Sequence, residues 1–133
     1  MKQIISVVLI LGFSICARAQ KDTESMYKPK TIIGIASFYS TSLDGTKTSN
    51  GETYRNSKFS AASNNFALNT WVRVTNLRNN KTIKVRINDH MHAKMAKRGR
   101  VVDLSRSAAK ELGFIGRGLT RVKVEEIPNS QND

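Results

Sequence analysis

"TWVRVTNLRNNKTIKVRIND", Thr70 to Asp89, decides the fold. Val72 and Val74 share one face of its first half; Ile83, Val85 and Ile87 share one face of its second. That two-residue period belongs to strands with one buried face. Between the halves, Arg78-Asn79-Asn80-Lys81 predicts a tight turn, because asparagine tolerates positive φ. The stretch is therefore an antiparallel hairpin. Its outer face carries Arg73, Lys84 and Arg86, which makes it a basic surface as well.

Further strand signals lie on both sides. "TIIGIASFY" (Thr31–Tyr39) is β-branched and aromatic, with Gly34 marking a bend or a close backbone approach. "GLTRVKVEEI" (Gly118–Ile127) alternates Val122 and Val124 against Arg121 and Lys123. One short helix is expected: Ser105 as N-cap, "RSAAKEL" after it, and Gly113 just past its end. Ala108, Ala109 and Leu112 would form its buried stripe. A mainly β domain over residues 31–127, with one inserted helix, predicts a small closed barrel that leaves no strand edge exposed.

The flanks read differently. Met1-Lys2, the apolar run Ile4–Ile15 and Ala17-Arg18-Ala19 follow one another in the order of a secretory signal peptide, residues 1–19, cleaved before Gln20. The apolar run is short for a membrane span, which takes about 20 residues. Cys16 is preceded by Ile15, where a lipoprotein signal wants a small residue, so cleavage is favoured over a lipid anchor at Cys16. Residues 20–30 read as a flexible leader and 128–133 as a polar tail. The chain is then exported to the periplasm or cell envelope, free of cysteine and of disulfides.

The whole chain carries 22 Lys and Arg against 10 Asp and Glu, a formal charge of +12. Loss of Lys2 and Arg18 with the signal leaves about +10. In the cytoplasm such a field suggests nucleic acid. Outside it, the anionic partners are wall-peptide carboxylates and lipid phosphates.

Few residues are equipped for chemistry. There is no G-x-S-x-G, phosphate loop, H-E-x-x-H or C-x-x-C. Glu111, Glu125 and Glu126 read as solvated charges, and Asp44-Gly45 as a turn. Asp103 is taken as structural, binding backbone amides before the helix. Glu52, in the polar loop "TSNGETYRNSKFSAASNN" (Thr48–Asn65), and Asp89, at a strand end, are the candidate acids. His90 and His92 sit beside Asp89, but an i,i+2 pair without a third ligand does not make a metal site, and no metal or cofactor is expected.

"GIASFYS", "TSNGETY", "FSAASNNFALNTWVRVTNLRNNKTIKVRIND", "GRVVDLSRSAAKELGF" and "GLTRVKVEEI" together resemble the domain of the rare lipoprotein A family, in order, from about Ile33 to Ile127. The resemblance implies a six-stranded double-psi β-barrel. It implies peptidoglycan glycan strands as substrate and an endolytic transglycosylase, a lyase that cuts the MurNAc–GlcNAc bond and leaves a 1,6-anhydro end. Glu52 and Asp89 fall on the family's loop glutamate and strand-end aspartate and are the implied catalytic residues. Asn50, Tyr54, Ser63, Arg86 and His90 are the expected substrate contacts. Arg55 stands where the family carries an aspartate, Ser63 where it carries a histidine, and His90-Met91-His92 where it carries R-G-P. The alternative is a non-catalytic, expansin-like glycan-binding barrel that uses Tyr39, Tyr54 or Trp71 as sugar platforms. Either way a monomer is expected, without nucleic acid and without a membrane span after cleavage.

Overall fold

The computed structural model describes Gly12 and residues 28–128. The rest of the signal segment, Cys16 included, and the leader and tail beyond these limits lie outside the described residues. Six strands form a closed barrel: β1 (Thr31–Phe38), β2 (Ser60–Ala62), β3 (Trp71–Asn76), β4 (Thr82–Asp89), β5 (Arg100–Leu104) and β6 (Thr120–Ile127). Their order around the ring is β1-β5-β2-β4-β3-β6. The β1–β5 and β2–β4 pairs are parallel and the other four antiparallel, the double-psi arrangement.

The β3–β4 hairpin forms as its alternation dictates, with Val72 opposite Val85 and Val74 opposite Ile83. All four point into the barrel, together with Ile87, Val102, Leu104, Val122 and Val124. The turn closes on Asn80 at φ 61°, whose N–H donates to the Asn76 carbonyl at 2.7 Å. Burial of one such Val or Leu side chain is worth roughly 1.5–3 kcal/mol, so the inward stripe of these strands supplies the main driving force.

Among the described residues there are two short α-helices rather than one. α2 (Arg106–Glu111) is the expected helix, with Ala108 and Ala109 buried. Ser105 occupies its N-cap position, yet its hydroxyl accepts from the Ser60 N–H instead of an N-terminal amide of the helix. α1 (Ala93–Lys97) forms in the basic segment read as a loop, capped by His92 Nδ1, which accepts from the Lys94 N–H at 3.2 Å. A capped single turn needs no apolar stripe, and none of its residues is buried. No helix among the described residues is long and apolar enough to cross a membrane.

Two bulges set which side chains face outward. On β4, Ile87 pairs with Ala61 and Asp89 with Ala62, so Asn88 is an extra residue. Strict alternation after Ile83, Val85 and Ile87 would aim Asp89 into the core; the bulge turns it out. On β5, Arg100 pairs with Ile35 and Val102 with Ala36, so Val101 is extra and Arg100 faces outward. Val101 fills the space over Gly34, where a Cβ would collide with the Val101 side chain and lie 3.0 Å from the Gly99 carbonyl oxygen.

Candidate active site

On the outer side of β2, Ser60 lines a cleft, while Ala62 is buried against Tyr39, Tyr54 and Met91. Ser60 pairs with Arg86, and Ala62 pairs with Asp89 on one side and Asp103 on the other. With strands about 4.8 Å apart, the two aspartates project from backbones roughly 10 Å apart across Ala62.

Asp89 is held from several directions. The Tyr39 hydroxyl donates to Oδ2 at 2.5 Å. The Ser49 hydroxyl, the Ser49 N–H and the His90 N–H donate to Oδ1 at 2.5, 2.9 and 2.9 Å. Burial alone would raise its pKa, but these hydrogen bonds to the charged form outweigh it and hold the carboxyl below its ordinary value. Asp103 lies in the opposite condition. Burial pushes its pKa up to about 6, and one hydrogen bond from the Ser37 hydroxyl at 3.0 Å offsets this only in part. Asp103 was expected to bind backbone amides at the helix start. The alternation of Val102 and Leu104 puts it instead on the outer face of β5, beside Ser37.

Glu52 belongs to a neighbouring cluster. Arg86 grips it with both guanidinium nitrogens, Nη1 to Oε1 at 2.5 Å and Nη2 to Oε2 at 2.7 Å. Asn50 Nδ2 donates to Oε1 at 2.5 Å, while Asn50 Oδ1 accepts from the Glu52 N–H. The Arg86 hydrogen bond, then that of Asn50, keeps Glu52 below the usual carboxylate range. Arg86 is raised in return. Asn50 and Arg86 also meet at the Asn69 carbonyl oxygen of the side chain, at 3.0 and 2.9 Å. One loop joins the two clusters: Ser49 binds Asp89 and the next residue, Asn50, binds Glu52.

Glu52, Arg86 and Asn88 line a cleft of about 460 Å³ whose rim carries Arg55, Lys58 and Phe59. Arg55 has an acid of its own, Asp44, at 3.5 Å. Phe59 is 45 % exposed there, an aromatic face open to a ligand. Its signal in the sequence was slight: a lone aromatic between Lys58 and Ser60 in a polar loop.

Other expected contacts sit elsewhere. Tyr54 is buried, its ring stacked on Tyr39 at 4.3 Å between centroids and its hydroxyl donating to Asn56 Oδ1. Tyr39 is buried too. These two rings thus support Asp89 from beneath and present no platform to a sugar. Ser63 is fully buried, its hydroxyl donating to the Val101 carbonyl and accepting from the Asn65 N–H. It shapes the wall and has no surface to offer a substrate. His90 is exposed next to Asp89, with its backbone N–H, not its ring, in the network. Trp71 is half-buried on the outer face of β3, opposite Arg86. Among the described residues, no three His, Cys, Asp or Glu side chains converge as metal ligands.

The family model described as "Lytic transglycolase" matches residues 31–124. The chain is 48 % identical over 94 residues to the endolytic peptidoglycan transglycosylase RlpA of Pasteurella multocida, an alignment covering 71 % of this chain and 31 % of that protein. It is 37 % identical over 123 residues to the protein of the same name from Neisseria meningitidis, covering 86 % and 49 %. It is 46 % identical over 101 residues to that of Pseudomonas aeruginosa, covering 72 % and 27 %. The chain thus spans between about a quarter and a half of the length of these relatives. Among solved structures, a Streptomyces papain inhibitor superposes with a TM-score of 0.60 at 21 % identity, over 74 % of this chain and 96 % of that one. An expansin of Clavibacter michiganensis gives 0.59 at 21 % identity, over 75 % and 52 %. At these identities the two structures show a shared fold alone.

Proposed function

The chain belongs to the lytic transglycolase family of double-psi β-barrels, and from that premise we propose that it cuts peptidoglycan glycan strands at the MurNAc–GlcNAc bond without water. One observation carries the reading: two aspartates flank Ala62 on one outer face, one held ionised and the other holding its proton to about pH 6. A pair whose environments push their proton affinities apart is how one site obtains an acid and an anion at the same pH.

Asp103 is the proton donor to the leaving oxygen. As the C1–O bond breaks, the muramoyl C6 hydroxyl closes on C1, and its proton replaces the one Asp103 gave. Asp89, ionised, stabilises the positive charge that builds on the sugar ring. Asp89 keeps the catalytic role expected of it. Glu52, locked to Arg86, has no proton to give; with Arg86, Asn50 and Phe59 it positions the strand in the cleft. His90 lies at the mouth beside Asp89, as a further contact.

The same reading takes the product as an exported monomer acting in the periplasm or envelope, released by cleavage before Gln20. Amino-terminal sequencing of the secreted protein checks this, and a start at Cys16 would contradict it.

Peptidoglycan sacculi, intact or stripped of peptides, incubated with the protein should release fragments with 1,6-anhydro ends by mass spectrometry. Release should vanish in Asp103→Asn and Asp89→Asn. The Arg86 grip on Glu52 favours the second reading, a binding barrel without turnover. Binding to sacculi with no release of any fragment would establish that reading in place of the first.

A further inference from the structure

The far side of the ring carries a different chemistry from the candidate site. The site lies on the β2–β4 seam, where Ser60 pairs with Arg86 and Ala62 with Asp89. In the order β1-β5-β2-β4-β3-β6, the β6–β1 seam is half-way round the ring from it. There Ile33 pairs with Lys123 and Ile35 with Arg121. These side chains alternate outward against the buried Val122 and Val124.

Apolar exposure is concentrated on this face. Ile33 is 53 % exposed, Leu119 43 % and Leu77 38 %, three of the five large apolar side chains exposed among the described residues. Arg121 is their hub: Ile35 lies opposite it, Leu119 two residues before it, and the Leu77 N–H donates to its carbonyl at 3.0 Å. A cleft of about 390 Å³ opens beside it, lined by Arg98, Arg100, Arg117 and Arg121 together with Ile35 and Leu119. Among the described residues none of these four arginines has a carboxylate within ion-pair distance, although Arg55, Arg86 and Lys123 each have one.

Unneutralised guanidinium groups bind phosphate oxygens through their planar fork. The exposed apolar side chains beside them are aliphatic. The exposed aromatic, Phe59, lies at the other cleft, and Trp71 at the far end of β3 from Leu77. Stacking on the bases of a nucleic acid needs aromatic faces. Aliphatic chains among cations suit the boundary between lipid headgroups and acyl chains.

We propose that this face docks the barrel on an anionic phospholipid surface. The arginines take the lipid phosphates, Ile33, Leu77 and Leu119 enter the headgroup boundary, and the β2–β4 side is turned away from the bilayer. The contact is peripheral and reversible, made by a folded face and not by a spanning segment. It does not rest on the glycan-cutting reading.

Vesicles of phosphatidylcholine, with and without phosphatidylglycerol, are the probes, with partition followed by co-sedimentation. Every variant is made from the full chain and processed alike, so whatever precedes residue 28 contributes equally to each. The wild type should partition onto the phosphatidylglycerol vesicles and not onto the others. Arg117→Ala/Arg121→Ala should weaken this about 30-fold, roughly fivefold for each cation near an anionic surface. Ile33→Ser/Leu119→Ser should weaken it about tenfold by removing the inserted apolar part. Lys47→Ala/Lys84→Ala removes as much charge elsewhere and should leave partition within about twofold. Brominated lipid should quench an Ile33→Trp variant beyond the Trp71 background and leave a Lys58→Trp variant at that background. Matching thermal transitions confirm that each variant folds.

Equal partition onto both kinds of vesicle, or onto neither, overturns the proposal. So does a lysine control that loses as much as the arginine variant, since net charge alone would then be at work. Quenching of the Lys58→Trp variant in place of the Ile33→Trp one overturns the orientation. Inorganic polyphosphate gives the remaining arm: arginine-dependent binding to it, with the serine variant partitioning like the wild type, makes the face a site for soluble phosphate chains and not a membrane surface. A protein that docks but releases no anhydro ends fails the enzyme reading alone. An active protein that ignores vesicles fails only this one.

Discussion

Asp103 and Asp89 lie on neighbouring parts of the same outer face, yet solvation separates them: Asp103 has one hydrogen-bond donor, Asp89 has four. The proposed turnover needs the first protonated and the second ionised. Release of anhydro ends should therefore fall as pH rises through about 6, and fall again in acid, below the usual carboxylate range, as Asp89 takes up a proton. A pH–rate profile flat from pH 5 to 8 would remove Asp103 from the donor role. Stability follows a related sign. A carboxyl whose folded pKa is raised favours the folded state only while protonated, so its contribution is lost as pH climbs from the unfolded value toward about 6. Asp103→Asn should accordingly be inactive and yet more stable at pH 7, by on the order of 1 kcal/mol, or about 4–8 °C in Tm for a domain of this size. Glu52→Gln should do the reverse: little change in Tm, since exposed ion pairs contribute about 0–1 kcal/mol, with a raised KM. Glu52 and Asp89 could be found from the sequence because their neighbours form recognisable motifs. The part proposed for Asp103 was hidden, because the burial that sets its proton affinity comes from distant strands.

The elements show the same division. The β3–β4 hairpin, β1, β6 and α2 were legible because each carries its own period or cap. β2, three residues long, and β5, five, were not: too short for alternation to register, they exist because four longer neighbours leave them places in the ring. The bulges were illegible for a sharper reason, since alternation read strictly assigns Asp89 and Arg100 to the wrong face. Gly34 could be marked as a close approach without its partner, Val101, being known. Gly34→Ala should cost about 1–3 kcal/mol from overpacking against Val101, and denaturant midpoints would show it. Paired with Val101→Ala, much of that loss should return. Asn76 is the polar counterpart: buried, it donates to the Leu112 carbonyl at 2.8 Å and accepts from the Thr120 hydroxyl at 2.9 Å. Asn76→Leu strands the buried Thr120 hydroxyl, while the Leu112 carbonyl keeps Asn79 Nδ2 at 2.9 Å, and should cost about 1–3 kcal/mol by the same measurement.

At the scale of the whole molecule, the formal charge of +12 would draw the protein toward an anionic wall, the proposed substrate. Exposed charges interact across a Debye length of about 10 Å at 0.1 M salt and about 3 Å at 1 M. Binding to sacculi should therefore weaken several-fold over that range. Charge and barrel class were both readable from composition and pattern; where the charge concentrates was not, because Arg98, Arg100, Arg117 and Arg121 are joined only by the closed ring. That ring also has a seam. β1 and β6 are antiparallel, with Thr31 opposite Glu125 and the Lys30 carbonyl accepting from the Glu126 N–H at 2.8 Å. The two chain ends of the barrel thus leave side by side. Tension applied between residues 28 and 128 loads the seam's hydrogen bonds singly, in peeling geometry, instead of sharing the force across all of them in shear. The closed barrel is thus a poor mechanical link, and a pull on both ends would open it at low force.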